Sequence, residues 1–135
     1  MKRTILLLSL VVMTAIAVMA QDNADKAEIN FKEKEHDFGY IAENGGKVSC
    51  EFEFTNTGKA PLIIIDAVAS CGCTKPEFPK KPLQPGEKGA IKVTYNPKGR
   101  PGPFRKDIRV RTNAGSKRVT LIICGSVNPE AKQAQ

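Results

Sequence analysis

The chain of 135 residues has no tryptophan, one histidine, two tyrosines and six phenylalanines. Without tryptophan there is no cysteine–tryptophan–cysteine pin of the kind that holds antibody domains together. His36 is the one candidate base for a Ser or Cys nucleophile, which needs a positioned group to take its proton. A glycine-rich phosphate loop is missing, and the Pro-Gly pairs read as turns. Nothing points to the paired carboxylates of glycoside chemistry. There is no internal repeat, and beyond the first twenty residues no window carries a helical period. These absences argue against an enzyme, and no cofactor is expected.

What is present begins with export. Lys2 and Arg3 precede an apolar stretch from Ile5 to Ala20, interrupted by Ser9 and Thr14. Val18-Met19-Ala20 supplies the small residues that a signal peptidase reads, so residues 1–20 are expected to be a signal peptide cleaved before Gln21. The stretch is short for a spanning helix, which needs about 20 apolar residues. No cysteine follows it closely, so no lipid anchor is expected. The reading is secretion across the inner membrane to the periplasm or the exterior, with no stable membrane insertion after cleavage. Cleavage removes Lys2 and Arg3 and no acid, leaving 19 basic and 14 acidic side chains, net +5 against +7 before. That charge is too diffuse to argue for nucleic acid, and no nucleic-acid partner is expected.

Residues 21–27 are polar and without period and read as a flexible leader, and 128–135, opening on Asn128-Pro129, as a flexible tail. Between them lies one domain, residues 28–127, patterned with period two. Val48, Cys50, Phe52 and Phe54 alternate with Lys47, Ser49, Glu51, Glu53 and Thr55, and Asn56-Thr57-Gly58-Lys59 then breaks the strand as a turn. Leu62 to Val68 is nearly all apolar and reads as a strand covered on most of its surface. Residues 75–87 contain four prolines and read as a crossing loop or a short edge strand. Ala90–Tyr95, Phe104–Thr112 and Arg118–Val127 follow as strands, joined by turn-rich segments. With Glu28–Glu33 and a short piece around Asp37-Phe38-Gly39, the total is about seven strands. That spacing describes an all-β, immunoglobulin-like β-sandwich.

Several motifs occur in order: His36-Asp37-Phe38-Gly39, Phe52 through Gly58, Pro61-Leu62, Ser70-Cys71-Gly72-Cys73-Thr74, Pro85-Gly86-Glu87 and Asn96-Pro97-Lys98-Gly99. Together they resemble the bacterial domain-of-unknown-function 1573 family from about Ile29 to Val127. That family is similar in turn to immunoglobulin-like domains of the abnormal-spindle/hydin and major-sperm-protein types, which act mainly as protein-binding modules. The resemblance implies a secreted or periplasmic sandwich with no assigned catalytic residues. Cys50 and Cys124 are not part of the family pattern.

Four cysteines allow three complete pairings. Cys50 shares a face with Val48, Phe52 and Phe54 and is expected to point into the core. Cys124 shares a side with Thr120 and Ile122. A bridge between them needs both side chains on one side of a sheet, or a bulge that reverses parity; otherwise Cys50 is a buried free thiol. Cys71 and Cys73 are the sharper pair. Their separation falls near the upper end of bridgeable Cα distances, and Gly72 relaxes the backbone enough to close a small ring. Such a bridge closes almost no loop and is easily reduced, which suits a redox or thiol-exchange role. The usual exchange motif has two intervening residues at a helix N-terminus, and neither feature is present, so a structural clip ranks ahead. A metal reading takes Cys71 and Cys73 as copper(I) ligands, or as part of a zinc site completed by His36 and a carboxylate. Only one histidine exists, and His36 beside Asp37 reads as a solvated strand-end residue.

Arg105, Arg109 and Arg111 alternate outward on one strand and form a candidate contact for an anionic surface. The alternative is the charged face of an exposed strand, with Asp107 interrupting the row. The expected function is non-catalytic recognition of a protein or cell-envelope component through a sheet edge or end loop. The alternative is thiol-redox or metal handling at Cys71-Gly72-Cys73.

Overall fold

The computed structural model describes residues 25–129. The expected signal peptide (residues 1–20), most of the expected leader (21–27) and most of the expected tail (128–135) lie outside the described residues. Eight strands form two four-stranded sheets, and the described residues contain no helix. The strands are β1 (Ile29–Phe31), β2 (Glu35–Ala42), β3 (Val48–Asn56), β4 (Ile64–Ala69), β5 (Thr74–Glu77), β6 (Lys88–Tyr95), β7 (Gly102–Thr112) and β8 (Val119–Asn128). One sheet has the order β1-β3-β6-β5, the other β2-β8-β7-β4. The architecture is an immunoglobulin-like β-sandwich.

The period-two pattern maps directly onto the layers. Cys50, Phe52 and Phe54 of β3 and Ile91, Val93 and Tyr95 of β6 are buried from one sheet; Ile108, Val110, Leu121, Ile123 and Val127 are buried from the other. The rings of Tyr95 and Phe104 stack across the sheets with centroids 4.1 Å apart. Burying a large apolar side chain contributes roughly 1.5–3 kcal/mol, so these two inner faces carry most of the driving force.

Three elements bear on the sequence reading: two depart from it, and the proline-rich segment takes the second of its two alternatives, a short edge strand. The short piece around Asp37 is an eight-residue strand, and it pairs parallel to β8 while every other pairing is antiparallel. Its pattern is broken by a register shift between Asp37 and Tyr40, where Gly39 takes φ +66° and its N–H donates to Asp37 Oδ1 at 2.8 Å. The proline-rich segment contributes β5, an edge strand, the one place where Pro76, lacking an N–H, is tolerated. The third is a correction. Leu62–Val68 is not covered on most of its surface: Leu62 and Ile64 are buried, but Ile63, Ile65 and Val68 are 40%, 47% and 53% exposed. β4 lies at a sheet edge with β7 as its one hydrogen-bonded neighbour, and a bulge between Ile64 and Asp66 turns apolar side chains outward.

Candidate functional site

β4 ends at Ala69, and the chain crosses from one sheet to the other through Ser70-Cys71-Gly72-Cys73 before entering β5. Both ends of this crossing are tied down. Ser70 N–H donates to Asp107 O at 2.9 Å, and Asp107 N–H donates to Ser70 Oγ at 3.3 Å. Asn96 N–H donates to Cys73 O at 2.9 Å, and Thr74 N–H donates to Cys71 O at 3.3 Å. A disulfide joins Cys71 and Cys73 with Cα atoms 5.3 Å apart. That is mid-range for a disulfide, not near the upper limit, because the chain turns at Gly72 and shortens the two-residue span. Nor does the bend draw on glycine's special freedom. Gly72 has no positive φ, and a Cβ added there meets nothing within 4 Å.

The two sulfurs differ in their surroundings. Cys73 is 6% exposed, whereas Cys71 is half-buried. The Cys73 N–H donates to Cys71 Sγ at 3.3 Å. Thr74, itself buried, holds its hydroxyl 3.6 Å from Cys73 Sγ and 3.8 Å from Cys71 Sγ. Sequence reasoning did not single out Thr74; a hydroxyl adjacent to a cysteine pair is the signal that would have found it.

The remaining cysteines are free. Cys50 faces the core from β3, and Cys124 lies on the outer face of the opposite sheet, so the two do not meet. The Cys124 thiol donates to Glu35 Oε1 at 3.7 Å and His36 O at 3.8 Å. Burial, with the carboxylates of Asp37 and Glu35, pushes that thiol up. Burial alone pushes the Cys50 thiol from 9.0 up to about 11. The fold therefore favours the neutral thiol, and that contribution is complete below pH 9 and lost as pH rises from 9 to about 11. Burial shifts Tyr95 the same way. Wild-type protein is expected to lose urea resistance over this range and Cys50→Ala to lose less; an identical loss in both would exclude Cys50 as a source.

His36 does not join the cysteine pair. It sits on β2, with β8 and β7 between it and β4, and its ring packs edge-on against Phe38 at 4.6 Å. Among the described residues, no three His, Cys, Asp or Glu side chains are grouped to hold a metal ion. The arginines do share the outer face of β7, but two are engaged. Arg105 donates to Glu35 at 2.9 and 3.3 Å, holding that carboxyl below its usual range, and Arg111 Nε donates to Asp66 Oδ2 at 2.9 Å. Arg109 lies beside the exposed Val68 in register. With Arg118, Asp107, Ala69 and Ser70, these two line a hollow of about 300 Å³.

Among the described residues, no helix is long and apolar enough to cross a membrane. Three solved structures show the same fold. One is a protein of unknown function from Porphyromonas gingivalis W83 (TM-score 0.66, 14% identity, covering 82% of this chain and 51% of that one). The second is the VesB protease of Vibrio cholerae (TM-score 0.55, 19% identity, 75% and 32%). The third is the secreted serine protease VesC of Vibrio cholerae (TM-score 0.52, 13% identity, 78% and 24%). This chain thus spans about half the length of the first and a third or less of the other two. At these identities the likeness is one of fold alone. No curated protein matches the chain. The ordered motifs from His36 to Gly99 and the sandwich that carries them meet in one assignment: residues 29–127 match the model of the family described as protein of unknown function (DUF1573), and the chain belongs to that family.

Proposed function

We propose that this is a non-catalytic immunoglobulin-like module of the periplasm or cell exterior that recognises a protein or envelope partner along the open edge of β4. The observation that carries the reading is the uncovered apolar strand itself. Exposed Ile65 and Val68 lie on a strand with one free edge, and exposed Ile63 immediately precedes it. The Ser70–Asp107 bond sets the alternation of the antiparallel pair, so the N–H and C=O groups of Ala67 and Ala69 turn away from β7 toward that edge. Edge strands are ordinarily blunted by charge or proline, and an apolar one invites an added strand. Arg109 beside Val68 favours a partner segment carrying an acidic side chain. A disulfide between Cys71 and Cys73 supports an oxidising compartment, in keeping with the signal-like N-terminus.

The test is site-specific photo-crosslinking in the native host with the probe at Ile65, and at Glu51 on the outer face of the other sheet as control. The Ile65 probe is expected to give a discrete adduct that Val68→Lys reduces at least about tenfold, since a desolvated lysine opposes strand addition. Equal adducts from both positions, or an adduct indifferent to Val68→Lys, would refute the edge. The Arg105, Arg109 and Arg111 row supports an anionic contact less well, because two of its three members are already paired.

A second reading, thiol-redox chemistry at Cys71-Gly72-Cys73, has the bridge in its favour. Metal handling has less support, since the pair offers no thiolates while it is bridged and His36 lies on the strand at the far edge of β4's sheet. No cofactor is proposed.

A further inference from the structure

Thiol–disulfide exchange proceeds by in-line attack of a thiolate on one sulfur, with the other leaving along the axis of the breaking bond. The sulfur that can be attacked is the one whose far side opens to solvent. Here Cys71 is half-buried and Cys73 is 6% exposed, so protein occupies the approach to Cys73. Gly72, between them, is exposed and places no side chain over the bridge. The leaving sulfur needs a donor, because a buried thiolate cannot be solvated by water. Thr74 supplies it. Its hydroxyl is buried and its hydrogen-bond partners among the described residues are the two sulfurs, at 3.6 Å and 3.8 Å. The Cys73 N–H, 3.3 Å from Cys71 Sγ, stabilises charge on the second sulfur when its turn comes.

We propose that the Cys71–Cys73 disulfide exchanges in one direction with a polypeptide dithiol docked on β4, Cys71 being the sulfur attacked, Cys73 the leaving thiol and Thr74 its positioning residue. The proposal rests on the edge-docking and thiol-exchange readings above. Val68 lies on the same strand just ahead of Cys71, so an added strand continues onto the bridge. In the first step a substrate thiolate bonds to Cys71 Sγ, and the electron pair of the old bond passes to Cys73 Sγ, which then takes a proton. In the second, the substrate's other thiolate attacks the substrate sulfur of the mixed disulfide and releases Cys71 as a thiolate. The substrate leaves oxidised to a disulfide, having given up two electrons and two protons; Cys71 and Cys73 are left reduced. Each bridge is consumed once per encounter, which is stoichiometric exchange and not turnover.

Two probes test this on the oxidised full chain: reduced glutathione, and a synthetic β-branched peptide carrying two cysteines and one glutamate. Glutathione reactions are quenched early with acid, capped with maleimide and mapped by mass spectrometry. Roughly nine-tenths of the adduct is expected on Cys71 with the maleimide on Cys73. An even or reversed distribution would overturn the order of attack, with no mutation needed. Thr74→Val is expected to slow adduct formation about tenfold and to move the appearance of the Cys73 thiolate to higher pH in the reduced protein. An unchanged rate and pH profile would remove Thr74 from the step. The peptide is expected to react at least about tenfold faster than glutathione, an advantage lost in Val68→Lys while the glutathione map stays the same. A peptide no faster than glutathione would overturn the docked substrate, and the order of attack would then be judged on the glutathione map alone.

Discussion

Replacing Asn56 with alanine is expected to lower the unfolding free energy by about 3 kcal/mol, with a fall in Tm of about 15 °C. Asn56 is fully buried, and all of its hydrogen-bonding capacity is used. Its Nδ2 donates to Ala60 O at 2.8 Å and Leu83 O at 3.0 Å, and its Oδ1 accepts from Gly58 N–H at 3.0 Å and Glu28 N–H at 3.4 Å. The backbone adds Asn56 N–H to Glu87 O at 2.9 Å and Gly86 N–H to Asn56 O at 2.8 Å. One residue therefore joins the entry to β1, the turn after β3 and the loop before β6. Alanine removes the side-chain partners of four backbone groups at once, and each one left buried without a partner costs about 1–3 kcal/mol. Asn56→Asp keeps the acceptor, loses both donors and adds a charge, so it is expected to cost at least as much. Urea unfolding measures both; a loss under about 1 kcal/mol for Asn56→Ala would mean that water replaces the side chain and that the junction is not sealed.

The second large effect is in the core. Phe54→Ala is expected to cost about 3–5 kcal/mol, the range for deleting a buried aromatic ring. Phe54 is 1% exposed, packs against Phe31 at a centroid distance of 5.5 Å, and lies opposite Gly89 in the β3–β6 register. A Cβ on Gly89 would come within 2.7 Å of Phe54 Cζ and 2.9 Å of Leu83 Cδ2. The glycine and the ring are thus a size-matched pair. Gly89→Ala in the wild-type background is expected to destabilise by about 1–3 kcal/mol through overpacking. In the Phe54→Ala background the same change is expected to be neutral or stabilising, because it enters the cavity and improves strand propensity. Simple additivity across this double-mutant cycle would refute the pairing.

Strand identity was legible because period-two alternation is a local property. Val48 to Thr55 and Ala90 to Tyr95 alternate, and both lie in strands buried on one face. Export context and family membership were likewise matters of linear pattern, the first as an expectation and the second now shown over residues 29–127. Edge against centre is a different kind of property. Leu62–Val68 reads as a covered strand because nothing within it records that its neighbour on one side is β7 and on the other side nothing. The parallel pairing of β2 with β8 joins residues more than eighty positions apart, and Asp37 and Gly39 hide it by interrupting the alternation.

The same division runs through the candidate site. Cys71-Gly72-Cys73 stands out in a linear reading because two thiols one residue apart limit each other whatever the fold. Which of them faces solvent, and that Thr74 turns its hydroxyl on both, depends on how β5 packs beside β6. Asn56 reads only as a turn former, since its partners at the entry to β1 and in the loop before β6 lie 27 to 31 residues away and reach it when β1 and β6 pair beside β3. Spacing along the chain sets local conformation and the chemistry within reach of a few bonds. Burial, edges and long-range partners are set when two sheets remove their inner faces from water, and that event brings distant residues together.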